Sequence, residues 1–147
     1  VGQHEGLAFY TLGQRRGLNL GGDAKRSGLA WYVADKNMET NQLIVVQGHD
    51  HPALMSDGLV ADHWHWIDGD GPDSPIRCTA RLRHRQIDQP GWLTPLTAGR
   101  RRLTFDHPQR AVTPGQSVVV YSGACCLGGG IIETRTPVAE SPISGVA

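Results

Sequence analysis

Apolar and polar residues alternate with a period of two in short stretches along the chain, and helix-like spacing is scarce. The clearest case is residues 77–85. There Cys78, Ala80 and Leu82 share one face, and Arg77, Thr79, Arg81, Arg83 and Arg85 share the other. Residues 59–66 predict another strand. Strict alternation puts Val60, Asp62, Trp64 and Trp66 on one face and His63 with His65 opposite. Continuous apolar runs at Trp31-Tyr32-Val33-Ala34 and Leu43-Ile44-Val45-Val46 predict a strand pair joined by the polar residues 35–42. Strands are also expected over 91–96, 101–105, 118–121 and 125–133. The last two form a hairpin entered through Pro114-Gly115 and reversed at Ser122-Gly123. Before all of these, Thr11 is placed to cap a single helical turn over 12–16 that Gly17 ends, and residues 19–28 read as a mobile loop.

Many short strands separated by turns suit an all-β chain containing a small closed barrel. Glycine (19) and proline (9) are abundant, which fits. The stretch 68–75, rich in Gly, Asp and Pro, predicts a boundary between a β-rich unit at 1–70 and a barrel at 71–135. Residues 136–147 show no periodicity and read as a disordered tail. Gly128-Gly129-Gly130 inside a strand marks a bulge, a barrel corner or a close backbone approach.

Charge changes the picture locally and not globally. Lys plus Arg and Asp plus Glu balance at 14 each, so no overall field draws in nucleic acid. The arginines of 77–85 nevertheless share one sign with no acidic residue interleaved, and Arg100-Arg101-Arg102 adds to them. The residues alone leave a solvated strand face and an RNA contact both open. Three cysteines without regular spacing argue against a disulfide framework and for a reducing compartment. Cys78, Cys125 and Cys126 read as small packed strand residues, since nothing nearby predicts an activated thiol. His49-x-His51 and His63-x-His65 lack the thiolate partners of a structural zinc site, so no metal is expected. No apolar run reaches the length of a membrane span.

Four motifs in order resemble the bacterial tRNA-specific 2-thiouridylases, the MnmA (TrmU) family. They are Tyr10-Thr11-Leu12-Gly13-Gln14-Arg15-Arg16-Gly17-Leu18, then Trp31-Tyr32-Val33 with Val46-Gln47-Gly48-His49-Asp50-His51-Pro52, then Arg83-His84-Arg85-Gln86. The last is Thr113-Pro114-Gly115-Gln116 with Cys126-Leu127-Gly128-Gly129-Gly130-Ile131-Ile132. The resemblance covers roughly residues 1 to 135. It implies a central β-rich domain followed by a six-stranded barrel like the second domain of translation elongation factors. It also implies tRNA contacts at Arg83, His84 and Gln116, with Arg81, Arg85, Arg15 and Arg16 as secondary candidates. His84 stands where the family has tyrosine.

The family uses ATP to adenylate the wobble uridine at position 34 of tRNAs for Lys, Glu and Gln, and a persulfide relay donates sulfur. An S-G-G-V-D-S type ATP loop and the paired catalytic cysteines are not found in this sequence. The expectation is therefore a cytoplasmic tRNA-binding portion of such an enzyme, with no catalytic residue or cofactor of its own and inactive alone. A start at Val1 suits that reading. A stand-alone, non-catalytic RNA-binding barrel is the alternative, and an ATP loop in the same polypeptide separates the two.

Overall fold

The computed structural model describes residues 1–20 and 28–138, and the backbone of 145–146. The expected loop at 19–28 therefore lies largely outside the described residues. The expected disordered tail at 136–147 is corrected where it is described: residues 136–137 continue a barrel strand and 145–146 pair as a strand, while 139–144 and 147 lie outside the described residues. The described strands are β1 (Trp31–Asn37), β2 (Gln42–Gln47), β3 (Met55–Trp66), β4 (Ile76–Arg81), β5 (Gln89–Pro95), β6 (Arg101–Arg110), β7 (Ser117–Ser122), β8 (Cys125–Pro137) and β9 (Gly145–Val146). The chain is all-β, as the alternation predicts. It forms two compact units, one of Val1–Met55 with the stretch from Pro137, the other of Ser56–Thr136.

In the first unit β1 and β2 pair antiparallel, and β9 adds to the other edge of β2. The unbroken apolar runs in both long strands have a physical cause: the sheet is covered on both faces. Val33, Leu43 and Val45 pack with Leu7, Tyr10 and Leu18 on one side. Tyr32, Ala34 and Val46 pack with Leu54 on the other.

The helical turn expected over 12–16 does not form. A short 3-10 turn occurs earlier, at Leu7–Phe9. The backbone of residues 13 and 14 pairs with β1 instead, Gly13 N donating to Val33 O (2.8 Å) and Val33 N to Gln14 O (3.0 Å). The Gln14 side chain then closes the loop, accepting from Thr11 N and donating to Arg16 O.

The second unit is a closed barrel with strand order β3-β6-β5-β4-β7-β8. Leu59, Leu93, Leu103, Val118, Val120 and Ile132 fill it and are almost wholly buried. The division between units falls between Met55 and Ser56. Residues 68–75, expected as the boundary, lie inside the barrel unit, where they carry the chain from β3 to β4. Those strands are not neighbours in the ring, so their connection is long and turn-rich, and a crossing of this kind has the same composition as a linker.

β3 departs from strict alternation. Leu59 and Ala61 are buried and Val60 is only partly so, yet Trp64 and Trp66 pack against the same barrel core as Leu59 and Ala61. His63 takes a left-handed conformation (φ 52°), which shifts the phase of the strand by one residue. The expected grouping of Val60 and Asp62 with the two tryptophans is therefore corrected. The indoles stack on each other with centroids 4.9 Å apart and planes at 6°, and Trp64 Nε1 donates to Ala61 O (3.0 Å).

The glycine run on β8 makes room for this stack. A Cβ on Gly130 would stand 2.9 Å from the Trp64 ring, and one on Gly128 would stand 2.8 Å from the Trp66 ring and overlap the His65 carbonyl. Close approach, the third of the sequence-level readings, explains the run. Gly128→Ala should destabilise the barrel by about 1–3 kcal/mol through overpacking. A thermal melt checks this, and an unchanged midpoint would show that β3 and β8 can separate freely.

Candidate nucleic-acid interface

Because the inward residues of β4 are small and apolar, its arginines face outward, as the alternation predicts. Their partners come from other segments. Arg77 makes a two-pronged ion pair with Asp106 of β6, both N–O distances being 2.7 Å. Arg81 bonds Asp88, in the β4–β5 connection, at 2.7 Å. Each guanidinium also lies over an aromatic ring, Arg77 over Trp92 at 5.4 Å and Arg81 over Tyr121 at 5.2 Å. The hydrogen bonds to Asp106 and Asp88 raise the pKa of Arg77 and of Arg81 above their ordinary value. The expected stripe without acidic partners is thus corrected: Asp106, brought across by the barrel's curvature, and Asp88, in the connection that follows the strand, neutralise its first half.

The second half is not strand. β4 ends at Arg81, and residues 82–86 turn, with Gln86 N donating to Arg83 O (3.1 Å) and Leu82 N to the Gln86 side chain (3.1 Å). Arg83, His84 and Arg85 are exposed on this turn. Leaving the strand frees Arg83 and His84 from pointing to opposite faces.

Residues 113–116 form a second turn. Pro114 and Gly115 (φ 89°) occupy its centre, and Gln116 N donates to Thr113 O (3.2 Å), the type II pattern. Gly115 N bonds Ile132 O, and Ile132 N bonds Gln116 O, so the backbone is tied to β8 while the Gln116 side chain stays exposed.

The two turns meet at one carbonyl. Ala111 O accepts from the Arg83 guanidinium (3.2 Å) and from the Thr113 hydroxyl (2.9 Å). Beside them lies a shallow groove of about 240 Å³, lined by Arg81, Arg83, His84, Ser117 and Tyr121. Arg83 and His84 therefore share a groove with the residue that follows Gln116. Arg85 projects from the same turn, whereas Arg15 and Arg16 are exposed in the other unit. Tyr121, Asp88 and Asp106 were not singled out from the sequence. The apolar run at 118–121 gave Tyr121 no face, and the partners that Asp106 and Tyr121 find across the sheet depend on register, which no local pattern encodes.

The remaining candidates lie elsewhere. Arg101 turns inward over the Trp66 ring (5.5 Å) and donates to the carbonyls of Gly99, Arg100 and Asp70, while Arg100 pairs with Glu133 (3.2 Å). Burial pushes the Cys78 thiol up to about 11, so it is protonated and unreactive at neutral pH. Cys125 and Cys126 line an apolar cavity of about 340 Å³ with Trp66, Ile67 and Leu127. His63 and His65 are exposed, and among the described residues no three His, Cys, Asp or Glu side chains gather as a metal site would require. Among the described residues no helix is long and apolar enough to cross a membrane.

Two family profiles match the chain: the tRNA methyl transferase PRC-barrel domain over residues 1–47, and the aminomethyltransferase beta-barrel domain over 56–132. Among curated relatives, the tRNA-specific 2-thiouridylase MnmA of Alkalilimnicola ehrlichii is 61% identical over 142 residues, covering 94% of this chain and 38% of the relative. Proteins of the same name from an Enterobacter species and from Salmonella typhimurium are 53% and 52% identical over 139 and 138 residues. They cover 95% and 94% of the chain and 38% of each relative. The chain thus spans well under half the length of the curated relatives it matches.

The Arg77–Asp106 pair makes barrel stability depend on pH. The hydrogen bond from Arg77 holds the Asp106 carboxyl below its ordinary value. Its contribution is therefore present above the unfolded carboxyl pKa of about 3.9 and is lost as pH falls through the lower folded value. Asp106→Asn should melt lower than wild type at neutral pH, and the gap should close progressively below about pH 4. Melts of both proteins across that range decide it; a gap that stays constant would show that packing, not charge, is what Asp106 supplies.

Proposed function

The chain belongs to the MnmA family of tRNA-specific 2-thiouridylases, and from that premise we propose that it is the tRNA-holding part of such an enzyme. The whole protein makes 2-thiouridine at wobble position 34 of the tRNAs for Lys, Glu and Gln in the cytoplasm. ATP adenylates the uridine at C2, and a persulfide from a sulfur relay replaces the activated oxygen. Residues outside this sequence supply the ATP loop and the reactive cysteines. This portion presents groups that grip RNA.

One observation carries the reading. Arg83 on the β4–β5 turn and Gln116 on the 113–116 turn, 33 residues apart in sequence, are brought to neighbouring turns joined through Ala111 O. A guanidinium there can pair with a phosphate, having donors to spare beyond the one given to Ala111. A glutamine amide both donates and accepts, which suits a base edge or ribose. His84, beside Arg83, can stack on a base or bond a phosphate. Arg85, Arg15 and Arg16 are secondary phosphate contacts.

Arg83→Ala should weaken tRNA binding and lower the salt slope by about one, the counterion released by one phosphate contact. It should also cost about 1 kcal/mol of stability through the lost bond to Ala111. Gln116→Ala should cost about 1 kcal/mol of binding with an unchanged slope. Affinity across a salt series for the full-length protein and both variants tests this. Wild-type binding by both variants at every salt concentration would remove this rim from the interface.

The 147 residues alone, given tRNA, ATP and a sulfur donor, should form no 2-thiouridine. Product detected by nucleoside mass spectrometry would place the chemistry in this chain after all.

A further inference from the structure

The outer face of β4 carries the same arrangement twice: a guanidinium fixed by a carboxylate and laid over an aromatic ring. Such a guanidinium is a poor phosphate ligand, because its charge is already met and its N–H edge is engaged. Its planar outer face remains available, and that face is weakly hydrated. Arg81 differs from Arg77 in one respect that matters. Arg81 and its ring partner Tyr121 line the groove that also holds Arg83 and His84, whereas Arg77 and Trp92 do not.

Asp88 accepts from both Nε and a terminal nitrogen of Arg81 through one carboxylate oxygen, which fixes the guanidinium plane. Tyr121 covers one side of that plane at 5.2 Å. The Arg81 side chain keeps 38% of its surface exposed, so the pair still offers solvent a flat, neutral, rigid surface. Immediately beside it stands the exposed cation Arg83.

We infer that the Arg81–Tyr121 pair is a stacking platform for one unpaired nucleobase of bound RNA, whose backbone phosphate is met by Arg83. The inference rests on the tRNA-binding reading of the same rim and adds the mode of contact. Bases splayed from single-stranded loops stack on aromatic rings and on arginine planes, and they do so without the salt dependence of a phosphate contact. Arg81 thereby changes role, from a secondary charge contact to a surface. Asp88 becomes a positioning residue that acts through Arg81.

The test is tRNA affinity of the full-length protein across a salt series, with melting temperatures recorded for each variant. Tyr121→Leu and Arg81→Lys should each weaken binding at least about fivefold with the salt slope unchanged, since stacking is lost and no phosphate contact is. Tyr121→Phe should bind like wild type. Trp92→Leu, off the groove, should also bind like wild type. Normal binding by Tyr121→Leu while Arg83→Ala is weakened would overturn the platform and leave the rim interface standing. Normal binding by Arg83→Ala and Gln116→Ala as well would overturn both. Equal losses in Trp92→Leu and Tyr121→Leu would also overturn it, because the effect would not belong to the groove. Should Tyr121→Leu fold poorly, photo-crosslinking of the wild-type protein to 5-iodouridine-substituted tRNA decides. Crosslinks at Tyr121 are expected, and crosslinks found only elsewhere refute the platform.

Discussion

The barrel depends on closing β3 against β8, and that closure depends on two indoles meeting two glycines. Trp64 and Trp66 lie flat on each other over Gly130 and Gly128, and Arg101 covers the Trp66 ring. Bulk on one strand is matched by its absence on the other, so neither side can change alone. The left-handed residue His63 is what brings both tryptophans to that side. Within the ring, the turn after β4 and the turn before β7 sit next to each other, because β4 and β7 pair antiparallel. The candidate interface is thus a consequence of the β4–β7 pairing within the ring, and its residues need not be close in sequence.

Much of the fold was legible because it rests on local periodicity. Cys78 and Ala80 inward with Arg77 and Arg81 outward followed from alternation alone, and the double-faced burial of the β1–β2 sheet matches its unbroken apolar runs. What was not legible depends on register or on backbone conformation at single residues. Nothing near Arg77 in sequence points to Asp106, because β4 and β6 flank β5 and meet only through the curve of the sheet. Histidine gives little warning of a left-handed φ, so the phase slip in β3 was invisible. The Gln14 side chain looked like part of a helix and instead caps a loop paired to Val33.

The candidate site shows the same split. Pro114-Gly115 announced its turn, and the structure holds Gln116 as that turn requires. The Arg83-His84 pair was found through resemblance and not through pattern, since an alternation carried past Arg81 describes strand where the chain turns. The balance of charge also misled. Arg77 and Arg81 count toward a basic stripe in sequence, yet their carboxylate partners leave the exposed turn at 83–85 as the electropositive end of this face.

The pairing of β9 with β2 has a consequence for the order in which the molecule assembles. Val45 finds Gly145 only after about a hundred further residues have been made, among them the entire barrel. During vectorial synthesis the first sheet is left with an unfinished edge, while the barrel's own strands, the β3–β8 closure included, pair over shorter separations. The barrel is thus a long excursion inserted into the first unit, leaving at Met55 and returning at Pro137, where Val138 N bonds Met55 O. Loop-closure entropy favours completing that excursion first, so that its folding delivers the final strand to the edge waiting for it.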